Sequence, residues 1–257
     1  VEEKMRIQLV RNATMRIDYA GKALLTDPML CHVGALFTVA GISPNPVVEL
    51  PFPAEDAVAG IDCLLVSHDH PDHFERTSTL RLIPRNVPLF CQPGEEESRL
   101  REGFGDVVPI VSSHEWGGIR ITRRGGRHGK GQVARLTGAA SGYVLQAAGE
   151  PTLYWTGDSV WCEEVKSTID EFGPDVIITH SGGGTIRGLG SVIMNGRQTL
   201  SALNASPKDA VVVAVHMEAM DHCRVSRDVL RRLARKAGVP DSRLVIPGNG
   251  ETVVFEN

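Results

Sequence analysis

Between residues 66 and 75 the chain reads VSHDHPDHFE, which places three histidines and two aspartates in the six positions from His68 to His73. Imidazole and carboxylate together form the donor set of a borderline divalent ion such as zinc. Residues two apart in an extended turn point the same way, so His68 and His70 can reach one ion. Asp72 and His73 follow the bend at Pro71 and can reach a second. An isolated HxH says little, but HxHxDH directly after a buried strand reads as a metal-binding loop.

Such a loop needs elements that deliver the remaining ligands. Four apolar runs do so: CLLVS leads into His68, LYWTG into Asp158, VIIT into His180 and VVVAV into His216. In α/β sheets, ligands gather at the carboxyl ends of the strands, where the loops converge on one crevice. Helices are expected near Arg76–Leu82 and in EEESRLREGF, VWCEEVKSTIDEF, GRQTLSALNA and SRDVLRRLARKAG. The last has Ser226 as its N-cap and Gly238 as its stop. Short strands MRIQLV, TMRIDYA and KALLTDP open the chain, with a hairpin turn at Gly21, and RLVIPG and ETVVFE close it. Strands alternating with helices predict an α/β layered fold in a single domain spanning 1–257. Residues Cys31–Gly60 form a long Pro- and Gly-rich connection whose ALFTVAG stretch is apolar enough to pack over something, as a pocket wall or a subunit contact.

Bulk composition excludes several classes. The 257 residues are 42% hydrophobic and 23% charged, with a net charge of -4, which gives no overall case for nucleic acid or an anionic membrane. The five cysteines are odd in number and widely spaced, with no CxxC, and read as reduced thiols of a cytoplasmic protein. The first residues, VEEKMRIQLV, show no apolar signal region, and no run approaches the ~20 apolar residues of a membrane helix.

The loop, its place after a strand, and the later Asp and His residues resemble the metallo-β-lactamase superfamily, from LLTDP to the last strands. The GDSVW turn and the AVHMEAMDHC stretch are most similar to the branch containing L-ascorbate 6-phosphate lactonase. The resemblance implies a four-layer αβ/βα sandwich, two mixed sheets flanked by helices, with two divalent metal ions at one edge. It implies that His68, His70 and a third histidine hold the first ion, that Asp72, His73 and His216 hold the second, and that Asp158 bridges them. His128, in GGRHGKG, is the favoured third histidine because glycines flank it, and His114, in SSHEW, competes. Glu218 and His222 are candidates to orient ligands or touch substrate, as are Arg127 and His180. For His180 the roles open are substrate contact, displacement of a ligand, or a hydrogen bond at the sheet edge. The glycine-rich tail after it could cradle an anion.

Zn2+ is the expected metal, with Mn2+ and Fe2+ open to the same donors. Two ions sharing a bridging water bring its pKa from ~15.7 toward neutrality, which gives a hydroxide nucleophile, with Asp72 placed to receive a proton. His70 stands where a diiron relative would carry Glu, which favours hydrolysis over oxygen chemistry. The expected activity is therefore hydrolysis of a small anionic ester or lactone. The basic run Arg120, Arg123, Arg124, Arg127, Lys130 and Arg135 is the candidate receptor for the negative charge. A phosphodiesterase or nuclease on the same dinuclear site, and a non-catalytic metal-binding regulatory module, are the alternatives. Partners are expected to be a small-molecule substrate and a second copy of the chain, with neither membrane nor, as first choice, nucleic acid.

Overall fold

The computed structural model describes residues 5–129, 131–186 and 190–255. Lys130 of the basic run and residues 187–189 of the glycine-rich tail lie outside them.

The chain builds two seven-stranded mixed sheets in succession. The first uses β1 (Arg6–Arg11), β2 (Thr14–Tyr19), β3 (Lys22–Thr26), β4 (Cys63–Leu65), β5 (Leu89–Cys91) and β6 (Val107–Pro109), between which lie helices α1 (Ala54–Val58), α2 (Arg76–Leu82) and α3 (Glu96–Arg101). The second uses β7 (Ser113–Trp116), β8 (Ile119–Gly125), β9 (Ser141–Gln146), β10 (Leu153–Trp155), β11 (Val176–His180), β14 (Val211–Val215) and β15 (Leu244–Val245). Its helices are α4 (Gln132–Thr137), α5 (Glu163–Phe172), α6 (Gly196–Ala205) and α7 (Arg227–Lys236). A small ribbon pairs β12 (Thr185–Ile186) with β13 (Gly190–Ser191), and β16 (Thr252–Val254) returns to pair with β1.

Both sheets follow one plan. Each starts as an antiparallel meander and continues as parallel strands: β3, β4, β5, β6 in the first and β10, β11, β14, β15 in the second. In the first meander, β2 and β3 are joined by a two-residue turn, Ala20–Gly21, whose φ values of 51° and 70° match the twist a hairpin needs. Strand alternation decides the layers. Cys63 and Leu65 of β4 face the second sheet, where they join Leu24, Phe90, Tyr143, Trp155 and Ile178 in the central core. Leu64 and Val66 face outward onto Phe74, Ile83 and Phe104 under α2 and α3. On the far side, α5, α6 and α7 cover Tyr154, Ile177, Val212 and Ala214. The result is the expected layering, helix, sheet, sheet, helix. Ser226 caps α7 as expected, accepting from the backbone N–H of Val229, and Gly238 has φ 71° just beyond its end.

The first part of the basic run is built into a strand: β8 sends Ile119 and Ile121 into the core and turns Arg120 outward. Its cations concealed an ordinary period-2 strand, because each outward arginine has a partner on a neighbouring element. Arg120 lies 3.8 Å from Glu115, and Arg124 lies 2.6 Å from Glu171.

The long segment after β3 is built rather than loose. Arg11 is fully buried without a carboxylate partner among the described residues, and its guanidinium donates to the carbonyls of Met29, Cys31 and Val48, at both ends of the segment. Arg11→Ala leaves three carbonyls without donors. We expect it to cost about 3 kcal/mol, read as a lower urea midpoint, with proteolysis appearing within residues 31–48. An unchanged midpoint would contradict this reading.

Candidate metal centre

The parallel strands of both sheets end at one edge of the sandwich, and the expected histidines and aspartates meet there. His68, His70 and His73 come from the loop after β4, His128 from the loop after β8, Asp158 from the turn after β10, and His216 from the end of β14. The His68 Nε2 lies 2.9 Å from His70 Nδ1, which lies 3.3 Å from His128 Nε2. A second nest sits beside it. His216 Nε2 is 3.2 Å from His73 Nε2 and 3.3 Å from an Asp72 oxygen. Asp158 stands between the nests: its Oδ2 is 3.3 Å from His73 Nε2 and 3.5 Å from His128 Nε2, and its Oδ1 is 3.7 Å from His216 Nε2.

The donor chemistry fits cations. A neutral imidazole has one donor and one acceptor nitrogen, and its outer nitrogen is already engaged in two of the three rings of the first nest. Ser67 Oγ is 2.9 Å from His68 Nδ1, and the Val192 carbonyl is 3.0 Å from His128 Nδ1. The inner nitrogens of three such rings cannot all satisfy one another, whereas a cation between them would accept all three. Tetrahedral ligands at zinc–nitrogen distances of about 2.0–2.1 Å lie about 3.3 Å apart, against 2.9 and 3.3 Å between the nitrogens here.

Charge makes the same demand. Burial favours protonation of Asp72 and Asp158, but His73 and His216 outweigh it and hold both carboxyls well below the ordinary range. Burial would push His73 and His216 down. Asp158 and Asp72 reverse that, raising His73 well above the usual range and His216 to about 10. Asp158 raises His68 as well, but burial and then the neighbouring His73 outweigh it and hold His68 well below the usual value. The buried carboxylates therefore require positive charge beside them, which protons supply when cations do not.

The local backbone is shaped for this. His216 adopts φ 59° at the end of β14, and its N–H donates to the Asn12 carbonyl at 2.9 Å. A non-glycine residue there is uncommon and holds only where the surroundings enforce it. Gly157, just before Asp158, has φ 58°, and an added Cβ would meet the Ser141 carbonyl oxygen at 2.3 Å. Gly129, after His128, has φ 97° and no room for a side chain beside Val133.

The amino-acid sequence and the fold were compared with known proteins. Residues 24–217 match the family model described as the beta-lactamase superfamily domain. The chain is 32% identical to the UPF0173 protein YddR of Bacillus subtilis over 98% of its own length and all of YddR. The chain belongs to the metallo-β-lactamase superfamily. It is 28% identical to a UPF0173 metal-dependent hydrolase of Xanthobacter autotrophicus over 69% of this chain and 72% of that one. Among solved structures it resembles a possible metal-dependent hydrolase of Veillonella parvula, with a TM-score of 0.93 and 30% identity over 98% of this chain and all of that one. It also resembles the isothiocyanate hydrolase from Delia radicum gut bacteria, with a TM-score of 0.90 and 30% identity over 98% and 99% of the two chains.

Within this metallo-β-lactamase fold the other candidate residues separate. His180 is fully buried, and the Trp155 indole N–H donates to its Nε2 at 2.9 Å. Indole is a donor only, so the ring proton sits on Nδ1, which donates to Asp158 Oδ1 at 2.5 Å. Burial lowers the His180 pKa to about 4, in keeping with a neutral ring. His180 thus orients Asp158 and leaves Oδ2 free toward the nests. His222 is buried with no partner for Nδ1, its ring against Gly184. Glu218 and Arg127 turn elsewhere. The Glu218 carboxylate binds the backbone N–H and guanidinium of Arg227, and Arg127 extends into solvent to pair with Glu164. His114 lies on edge strand β7 against the Phe90 ring and joins neither nest. Gly182, Gly183 and Gly184, the first glycines after His180, pack inward, with the Gly183 N–H donating to the Met194 carbonyl.

Several residues that position the nests had not been singled out by sequence. Asp27 is fully buried and 2.6 Å from His73 Nδ1. It also accepts from the Ser67 hydroxyl at 2.6 Å, and that same hydroxyl contacts His68. Asp69, the remaining acid of the loop, faces away and pairs with Arg76 and the fully buried Arg99. Asn12 touches Asp72 and His216. Asp27 lay in the LLTDP stretch that carried the resemblance, but Trp155 gave no signal beyond its place in an apolar strand.

Two outcomes follow. His128→Ala should strip bound metal while His114→Ala leaves it in place, as read by elemental analysis, and the reverse pattern would refute the assignment. Trp155→Phe removes the donor that sets the His180 tautomer. Metal affinity should fall about 10–100-fold in competition with a chromogenic chelator, and unaltered affinity would show that the indole bond is dispensable.

Proposed function

We propose that this chain is a metal-dependent hydrolase working through two divalent ions. His68, His70 and His128 would hold one ion, Asp72, His73 and His216 the other, and Asp158 would bridge them. The observation that carries this reading is the convergence at the strand ends of His68, His70 and His128, of Asp72, His73 and His216, and of Asp158 with His68 and His73, each set with its ligand atoms within 4.8 Å of one another. Ions bound there would lower the pKa of water toward 7 and polarise an electrophilic group. The zinc expected from sequence suits the imidazole-rich donor set, which Mn2+ and Fe2+ can share.

The chain's own groups would do the rest. Asp27 and Ser67 fix the ring orientations of His73 and His68, and His180 fixes Asp158. Asp72 lies closest to the surface of the acids in the nests, with its side chain 13% exposed, and is placed to take the proton released as water attacks.

For the substrate we propose a small molecule with an electrophilic carbon doubly bonded to a heteroatom. Esters and lactones, the class suggested by the resemblance to the L-ascorbate 6-phosphate lactonase branch, satisfy this. So does the isothiocyanate named for one relative. There, water adds to the central carbon and the thiocarbamic acid breaks down to an amine and carbonyl sulfide. The anionic group expected from the basic run has weak support, because Arg120, Arg124 and Arg127 are paired with Glu115, Glu171 and Glu164.

The test is elemental analysis of protein purified without added metal, combined with assays on lactones, aryl esters and isothiocyanates. About two ions per chain are expected. Turnover should vanish after chelation and return with zinc, and His68→Ala should lose metal and activity together. Full turnover in the chelated protein would overturn the proposal.

A further inference from the structure

We infer that residues 35–39 build a binding pocket for an uncharged apolar group, directly beside the proposed two-ion centre. This deepens the hydrolase reading above and rests on it for the reacting end of the substrate. The pocket has a volume of about 360 Å3, and its wall combines Leu36, Phe37 and Val39 with Pro71, Met220 and the ligand candidate Asp72. That volume is within the range of small-molecule sites.

Three observations support it. First, the segment is held firmly, so its apolar residues are not exposed through looseness. The Asp221 carboxylate accepts from the Thr38 hydroxyl at 2.5 Å and from the N–H groups of Val39 and Ala40 at 3.0 and 3.1 Å. It also accepts from the N–H of Ile42 at 3.2 Å and from the Asn45 amide at 3.0 Å. Asn45 answers by accepting from the Asp221 N–H at 2.8 Å. Asp221 is five residues beyond His216, so the turn that presents a ligand candidate also sets the pocket wall. Charge-assisted bonds of this kind are strong and directional.

Second, a segment so well anchored still leaves Phe37 96% and Val39 46% exposed, while Leu36 packs toward Met220. Contiguous exposed apolar side chains beside a polar centre mark a contact surface. Third, charge complementarity selects the occupant. The wall includes the carboxylates of Asp72 and Glu75, and its cation, Arg76, is already paired with Asp69 and Glu102. Glu75 spends its carboxylate on the N–H groups of Thr77 and Ser78, and Asp72 is a ligand candidate of the proposed centre, so no charged group of this wall is left to pair with an ionic substituent of either sign, while its apolar side chains accept a hydrocarbon one. The occupant is therefore the alkyl or aryl part of a neutral electrophile whose reactive carbon lies at the Asp72 end.

The experiment compares zinc-loaded wild type with Val39→Asp and Leu36→Asp on methyl and 2-phenylethyl isothiocyanate. Wild type should favour the phenylethyl compound by about tenfold or more in kcat/KM. Each variant should lose most of that preference with its zinc content unchanged. In parallel, unreactive 2-phenylethanol is titrated into wild type while the methyl signal of Met220 is followed. A saturable shift in wild type, absent from Val39→Asp, supports the pocket even if neither isothiocyanate is turned over, and that outcome would count against the hydrolase substrate class alone. Unchanged preference in both variants, or no saturable Met220 shift, overturns the pocket. So does a wild-type dimer that Val39→Asp disperses without altering preference, since the surface would then serve a second copy of the chain.

Discussion

Two carboxylates that share the same pair of histidines, Asp158 buried and Asp72 nearly so, are the constraint around which this protein is arranged. Asp72 and Asp158 share contacts with His73 and His216, and both remain ionised despite burial. Burying one unpaired carboxylate is costly, and burying two at contact distance of the same rings is untenable without positive charge. The histidine cluster, the reversal of the ordinary burial effect on His73 and His216, and the second layer of Asp27, Ser67, Asn12 and His180 all answer that constraint. In the superfamily to which the chain belongs, relatives are named for metal dependence, and divalent ions meet the same demand as the protons do.

The fold supplies the convergence. Each sheet turns from antiparallel to parallel pairing at the strand that leads toward the site, β4 after β3 and β11 after β10. The carboxyl ends of these parallel strands then open on one edge. Positive φ values at Asn12, Asp27 and His216, three non-glycine residues in or touching the cluster, show where the backbone departs from the usual regions to serve the site. The layers behind the edge are apolar and closely packed, so the ligand-bearing loops rest on a firm base.

Much of this was legible in the amino-acid order, for a physical reason. Fully buried parallel strands read as apolar runs, and residues at their ends stand out by contrast. His68, Asp158, His180 and His216 were found that way. Helix α7 declared itself by its Ser226 cap and its Gly238 stop. The segment from β7 to β9 did not, because its outward face carries arginines whose glutamate partners, Glu115 across the hairpin and Glu171 on α5, come beside them only in the fold. The difference between His128 and His114 rested on glycines in sequence, and in space it is plain: one faces the cluster and the other faces Phe90. Glu218 and Arg127 were placed near the site by proximity in sequence, but side-chain direction took both to structural ion pairs. Long-range partners such as Trp155 on His180 carry no local pattern and need the fold to be seen.

The apolar pocket and the two-ion centre meet at Asp72, so the account joins hydrocarbon recognition to polar chemistry through one residue. Its central claim concerns the centre itself. Anomalous diffraction at the zinc edge from crystals of the zinc-loaded protein tests it most directly. The account predicts two peaks about 3.5–4 Å apart, one enclosed by His68, His70 and His128, the other by Asp72, His73 and His216, with Asp158 between them. A single peak, or zinc bound away from these residues, would contradict it.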